Sequence, residues 1–123
     1  RMEWRIDGSR PIWQQLQEQL TLHIITGEYP MGSRLPSVRD LAAEAGVNPN
    51  TMQRALGAME GTGLLVTNRT AGRYVTEDRA RLDAIRLTLA RDCMAEYLDK
   101  MKTLGYSEEE ARNLLLEEQE NGR

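Results

Sequence analysis

Residues 37–59 read SVRDLAAEAGVNPNTMQRALGAM, and two amphipathic segments meet in this stretch at a turn that begins with Gly46. In each segment the apolar residues recur at i, i+3, i+4 and i+7, the spacing of one face of a helix. Two short helices joined by a glycine-containing turn predict a helix-turn-helix, whose second helix enters the major groove of DNA. The apolar faces are Val38, Leu41, Ala42 and Ala45 in the first segment and Met52, Ala55, Leu56 and Met59 in the second.

The starts of both helices are specified locally. Ser37 is a good N-cap residue, and Asp40 three residues later gives a pattern like a capping box. Asn48 caps the next helix, and Pro49 follows at the first helical position, where a missing N–H costs nothing. We therefore predict helices at 37–45 and 48–59.

A polar stripe lies opposite the apolar face of the second helix. It consists of Asn50, Gln53, Arg54 and Gly57. Asn and Gln side chains pair bidentately with adenine, and Arg pairs with guanine. Gly57 would let the helix backbone approach a duplex. On periodicity alone an ordinary solvated face explains the stripe better, because every surface helix turns polar residues outward.

The residues after this helix change that balance. Leu64–Thr67 and Arg73–Thr76 have the composition of strands, and residues 68–72 lie between them as a turn, which predicts a β-hairpin. A hairpin directly after a helix-turn-helix is a winged helix. Arg69 and Arg73 flank the wing tip, where alone they would be explained as charges that prevent edge pairing. The three elements in succession favour DNA binding instead.

Two further segments precede this unit. Trp4 and Ile6 alternate with polar residues, which predicts a short strand or an extended arm. From Pro11 to Gly27, apolar residues recur every four positions and predict a first helix facing the core. They are Ile12, Leu16, Leu20 and Ile24.

The charge of the chain is unevenly distributed. The net charge is -3, but residues 34–75 carry five basic and three acidic side chains, or +2, whereas residues 80–123 carry seven basic and ten acidic ones, or -3. The candidate DNA-facing segment is therefore mildly basic, as phosphate binding requires. One Cys and one His exclude a disulfide framework, and His23 and Cys93 predict neither a metal site nor a catalytic dyad. We predict no catalytic residue, no metal ligand and no cofactor.

No apolar run approaches the length of a membrane span, and the first residues lack a signal-peptide core. These features predict a cytoplasmic protein with no membrane partner.

The residues resemble the bacterial GntR transcription regulators, in particular the YtrA-type subfamily. The resemblance covers roughly residues 11–76. It is carried by PIWQQL at 11–16, GSRLPSVRDLA at 32–42, VNPNTMQRAL at 47–56 and GLL at 63–65.

The resemblance implies a winged helix-turn-helix domain over residues 1–76, mostly α with a small β wing, that binds a double-stranded DNA operator. It implies DNA contacts at the positions equivalent to Arg39, Asn48, Asn50, Thr51 and Gln53, and a wing tip at 69–72 in the minor groove. The chain departs from the family at Pro49, where many members have a basic residue, and at Thr70-Ala71-Gly72, where a Gly-x-Gly tip is common. The full predicted DNA-binding set is Arg34, Ser37, Arg39, Asn48, Asn50, Thr51, Gln53, Arg54, Arg69, Thr70, Gly72 and Arg73.

Residues 77–123 are predicted to form two helices, over 81–102 and 111–119, the second opened by a capping box at Ser107 and Glu110. So small a helix pair cannot stably bury its apolar surface alone. We therefore predict a helical homodimerisation module, which the YtrA-type resemblance also implies; packing against the first helix of the same chain is the alternative. The predicted dimer contacts are Leu82, Ile85, Leu89, Met94, Leu98, Met101, Leu114 and Leu115. An unknown small-molecule effector would bind at the dimer junction or in a crevice.

Two functions remain. The first is a homodimeric, sequence-specific transcription regulator, a repressor, bound to a two-fold-related operator. The alternative is a winged-helix interaction module that binds protein or single-stranded nucleic acid through the same surface. The polar stripe favours the first, because a protein-binding face should expose apolar anchors. An enzyme is the third and least supported class.

Overall fold

The computed structural model describes residues 3–120 of the chain. The helices are α1 (Ile12–Ile25), α2 (Val38–Ala45), α3 (Pro49–Thr62), α4 (Arg79–Thr103) and α5 (Glu108–Glu120), and the strands are β1 (Leu65–Asn68) and β2 (Gly72–Val75). The chain forms two compact units that divide after Asp83. The first unit therefore extends past the boundary predicted at residue 76.

The core of the first unit is built by α1, α2 and α3, with α3 packed against both other helices. Leu16, Leu20 and Ile24 of the predicted α1 stripe are buried, whereas Ile12 is 42% exposed at the start of the helix. The whole predicted apolar face of α3 is buried. This core fixes α3 with one face inward and the opposite face in solvent.

The predicted helix starts are confirmed. The Ser37 Oγ accepts a hydrogen bond from the Asp40 N–H at 3.1 Å, and the Asn48 Oδ1 accepts one from the Asn50 N–H at 2.8 Å. Gly46 ends α2 with φ +70°, a left-handed conformation that glycine adopts without steric cost. Helix α3 continues to Thr62, beyond the predicted end at Met59.

The predicted hairpin is present, with strand limits that differ by one residue at each end. Strands β1 and β2 are antiparallel, with Leu65 opposite Val75 and Asn68 opposite Gly72. A third segment pairs with β2, because the Leu35 N–H donates to the Arg73 carbonyl at 2.9 Å and the Val75 N–H to the Ser33 carbonyl at 2.8 Å. The loop before α2 is thus hydrogen-bonded to the wing.

Residues 3–7 form no strand and lie along α1 as an arm. The Gln19 side chain accepts from the Arg5 N–H at 2.9 Å and donates to the Arg5 carbonyl at 2.7 Å. Gln15 makes the same pair of bonds with Asp7, at 3.0 and 2.8 Å. Two glutamines one turn apart on α1 therefore hold the arm.

In the second unit, the last turns of α4 are joined to α5. The Tyr97 hydroxyl donates to the Ala111 carbonyl at 2.8 Å, and Ala111 is buried. The predicted capping box is confirmed by bonds in both directions between Ser107 and Glu110, at 2.8 and 3.1 Å. None of the helices within residues 3–120 is long and apolar enough to span a membrane.

Candidate nucleic-acid interface

The outward face of α3 carries the predicted polar stripe. Asn50, Gln53, Arg54 and Gly57 are all exposed, while Thr51 beside them is half-buried. A Cβ at Gly57 would meet nothing within 4 Å. The face therefore offers amide and guanidinium groups around a position where a helix backbone is bare.

The N-terminal ends of α2 and α3 carry further hydrogen-bond donors. Arg39 is exposed in the first turn of α2. The Ser37 hydroxyl accepts its cap bond and keeps its own O–H free to donate, and the Asn48 amide NH₂ is likewise not used by its cap bond. Helix N-termini favour anions, so both ends suit phosphate oxygens.

The wing tip is an ordered turn. The Asn68 Oδ1 accepts from the Thr70 N–H at 3.0 Å, from the Thr70 hydroxyl at 2.9 Å and from the Ala71 N–H at 3.3 Å. Gly72 closes the turn with φ +99°, where a side chain would be strained. Arg69 and Thr70 are exposed at this tip. The Asn68 side chain thus fixes the turn of the wing tip.

Arg34 lies against the wing. Its backbone forms a bridge with Tyr74, and a Cβ at Gly72 would lie 3.3 Å from the Arg34 Nε. Since Arg34 is exposed, its guanidinium adds positive charge beside the wing tip.

Arg73 is placed differently from the other predicted arginines. Its Nε donates to the Glu60 carboxylate at the C-terminal part of α3, and the Arg73 side chain is only 17% exposed. This bond from Arg73 is the main cause that holds the pKa of Glu60 below its ordinary value. The pair ties β2 to α3 beside the wing.

Arg54 also has a partner that the sequence did not indicate. Its guanidinium carbon lies over the ring of Trp13 on α1, 4.4 Å from the ring centroid. This is a cation–π contact between the exposed face of α3 and the first helix.

The predicted dimer residues fall into three groups by burial. Leu82 is buried at 5% exposure within the first unit, and this burial removes it from the side chains available to a partner. Met94 and Leu115 are exposed in the second unit. The remaining predicted positions are half-buried: Ile85, Leu89, Leu98, Met101 and Leu114.

Sequence reasoning missed Asn68, Glu60 and Trp13 as parts of this site. Asn68 had a local signal, because Asn side chains commonly accept hydrogen bonds from the backbone two residues on. Glu60 and Trp13 act across the fold, and no spacing in the sequence points to their partners.

A buried three-helix core, an exposed polar recognition helix and an ordered hairpin define a winged helix-turn-helix protein of the DNA-binding class. The profile described as "Bacterial regulatory proteins, gntR family" matches residues 13–75. The chain belongs to the GntR family, and the resemblance inferred from its motifs is confirmed.

Relatives agree on the class. The chain is 34% identical over 109 residues to the "Uncharacterized HTH-type transcriptional regulator YhcF" of Bacillus subtilis, covering 89% of this chain and 90% of that protein. It is 32% identical over 97 residues to the "HTH-type transcriptional repressor YtrA" of the same organism, covering 79% and 70%. A GntR family transcriptional regulator from Listeria monocytogenes has the same fold, with a TM-score of 0.83, 34% identity and coverage of 91% and 98%. The chain is a DNA-binding transcription regulator, and its similarity to YtrA supports the YtrA-type assignment.

Proposed function

We propose that the chain is a repressor that binds a two-fold-related operator as a homodimer, in the cytoplasm, where bacterial DNA lies. The observation that carries the proposal is the exposed stripe on α3, which presents two amides and one guanidinium and no large apolar side chain at Asn50, Gln53, Arg54 and Gly57. The repressor assignment follows the printed name of the relative YtrA.

Within this proposal the contacts divide by chemistry. Asn50 and Gln53 read base edges in the major groove, because their exposed amides can pair bidentately with adenine there. Arg39, the Ser37 hydroxyl and the N-terminal end of α3 at Asn48 and Thr51 bind phosphates. The wing tip at Arg69, Thr70 and Gly72, with Arg34 beside it, contacts the minor groove.

The homodimer is proposed from the second unit. Leu87, Met94, Leu115 and Leu116 are about half exposed there, a large apolar surface for so small a helix pair. A second copy would cover these side chains and bring two winged helices onto two half-sites. An open crevice of about 590 Å³ lies between the end of α4 and the start of α5, and it is the place where we propose that an effector would bind.

Selection of duplexes from a randomised pool with the full chain tests the function, with sedimentation measuring its oligomeric state. We expect an enriched sequence made of two inverted half-sites and a dimer in the absence of DNA. A duplex pool that shows no enrichment, or enriched duplexes that share no sequence, would contradict sequence-specific operator binding and favour the interaction-module alternative.

A further inference from the structure

Arg54 is held on one face by an indole ring. The Arg54 guanidinium carbon lies 4.4 Å from the centroid of the Trp13 ring. Within residues 3–120, no acidic side chain forms an ion pair with Arg54. Arg10 differs in this respect, because its two terminal nitrogens donate to the Glu18 carboxylate at 2.7 and 2.9 Å. Arg54 is therefore ordered without losing its charge.

The contact also places the guanidinium in the fold. Trp13 belongs to the first turn of α1 and is half-buried, so the ring is a fixed surface beside α3. Gln53 and Arg54 are neighbours on α3 and differ by about 100° around the helix axis. Gln53 remains on the open face, whereas the Arg54 side chain leans toward α1.

This position suits a phosphate better than a base. A bidentate contact with guanine needs an arginine extended from the recognition helix into the groove. An arginine drawn back over an indole of the neighbouring helix lies at the border of that face, and the phosphates of a duplex bound to the face would border it there. Stacking occupies one face of the guanidinium and leaves N–H donors at its edge for phosphate oxygens.

We propose that Arg54 is a phosphate contact and that Trp13 is a positioning residue, which holds the Arg54 guanidinium ready for the DNA backbone. This inference rests on the proposed operator binding. It differs from the base-reading role that the sequence pattern favours for Arg54. The positive charge of Arg54 also strengthens its stacking when DNA excludes water from the contact.

The test uses the full chain and a duplex selected by the wild-type protein from a randomised pool. We expect Arg54→Ala to weaken binding roughly tenfold on the selected duplex and on every single-base variant of it, and to reduce the slope of log affinity against log salt by about 1. Gln53→Ala is the matched comparison on the same helix. Its loss should concentrate at one or two base pairs. A loss for Arg54→Ala that concentrates in the same way would overturn the phosphate assignment.

A double-mutant cycle tests the role of Trp13. Trp13→Leu should weaken binding roughly three- to tenfold in the wild-type background and have no further effect in the Arg54→Ala background. Trp13→Phe, which keeps an aromatic face, should stay within about twofold of wild type. Equal losses for Trp13→Leu in both backgrounds would show that Trp13 acts through the stability of the fold, and would overturn the proposal.

Fluorescence gives a readout that a purely structural role would not change. The chain has two tryptophans, so Trp4→Phe leaves Trp13 as the sole indole. Trp4→Phe by itself should keep operator affinity close to wild type. In this background we expect Trp13 emission to change both on Arg54→Ala and on duplex binding. Emission unaffected by either would contradict the stacking.

The failure of this inference can be told apart from failure of the proposed function. If the wild-type chain selected no duplex, the proposed function itself would fail. Specific binding without energetic coupling between Trp13 and Arg54 would refute this inference alone.

Discussion

Arg39 and Arg73 show that arginines of the first unit differ in exposure and in their hydrogen-bond partners. Arg39 is exposed in the first turn of α2, whereas Arg73 is bonded to Glu60. We expect Arg39→Ala to weaken operator binding by about 1 to 3 kcal/mol, because it removes a charged contact near a helix N-terminus. Titration of the selected duplex at fixed salt measures the change. Arg112→Ala, which removes an exposed pair with Glu108 in α5, is the control, and unchanged binding by Arg39→Ala would remove Arg39 from the interface.

The Glu60–Arg73 pair should make stability depend on pH. The pKa of Glu60 is lowered below the ordinary value of 4.5, chiefly by its bond from Arg73. The stabilisation is therefore complete above the unfolded pKa and is lost as the pH falls through the folded pKa. We expect Glu60→Gln to reduce the free energy of unfolding by about 1 kcal/mol at pH 7, and by less at pH 3. Urea unfolding at the two pH values measures both.

Glu18→Gln is the matched control for this pair. The pKa of Glu18 is lowered by Arg10, but both side chains are about half exposed, so solvent screens the interaction. We expect a loss below about 0.5 kcal/mol at pH 7. A Glu60 variant with the stability of Glu18→Gln at both pH values would refute the anchoring role of the pair.

At the scale of elements, Gly57 in α3 lowers the stability of the helix, and it leaves the helix backbone open to an approaching duplex. Gly57 and Gly61 are both exposed within this helix, and a Cβ at either would meet nothing within 4 Å. Gly57→Ala and Gly61→Ala should each raise the free energy of unfolding by about 0.5 to 1 kcal/mol, because alanine lowers the entropy cost of helix formation.

Of these two substitutions, only Gly57→Ala should change the affinity for DNA. Recognition helices contact bases through their N-terminal part, so Gly57 lies nearer the duplex than Gly61 does. We expect weaker operator binding for Gly57→Ala and unchanged binding for Gly61→Ala, measured on the same duplex. Equal affinities for the two variants would mean that the backbone at Gly57 does not approach DNA.

The elements also show what a sequence specifies. The starts of α2 and α3 were predictable because Ser37 and Asn48 act on their own backbone within three residues. The pairing of Ser33 and Leu35 with β2 was not, since it joins segments distant in sequence. The polar stripe of α3 was predictable from periodicity, because the spacing of residues along one helix is a local property. The stacking of Arg54 on Trp13 depends on how α1 and α3 pack.

At the scale of the whole molecule, the first unit includes the start of α4. Asp78 caps this helix from the position before Arg79, since its carboxylate accepts from the Arg81 N–H at 3.0 Å. Leu82 one turn later is buried in the first unit. DNA binding and the proposed dimerisation are therefore assigned to units whose boundary lies inside one helix, at Asp83. A chain cut at residue 76 would lose part of the DNA-binding unit itself.

Truncation separates the two roles. A chain that ends at Asp83 should fold, remain monomeric and bind the selected operator at least about a hundredfold more weakly, because its two half-sites are no longer bound together. A chain that ends at Thr76 should unfold more easily by about 2 kcal/mol, since Leu82 is no longer buried. Met94→Lys in the full chain places a charge on the proposed dimer surface, at a side chain that is 55% exposed, so it should weaken dimerisation while the first unit keeps its stability. Sedimentation, urea unfolding and titration of the operator measure the three properties. A dimeric chain ending at Asp83 with wild-type affinity would place the dimer contacts in the first unit and refute the role proposed for α4 and α5.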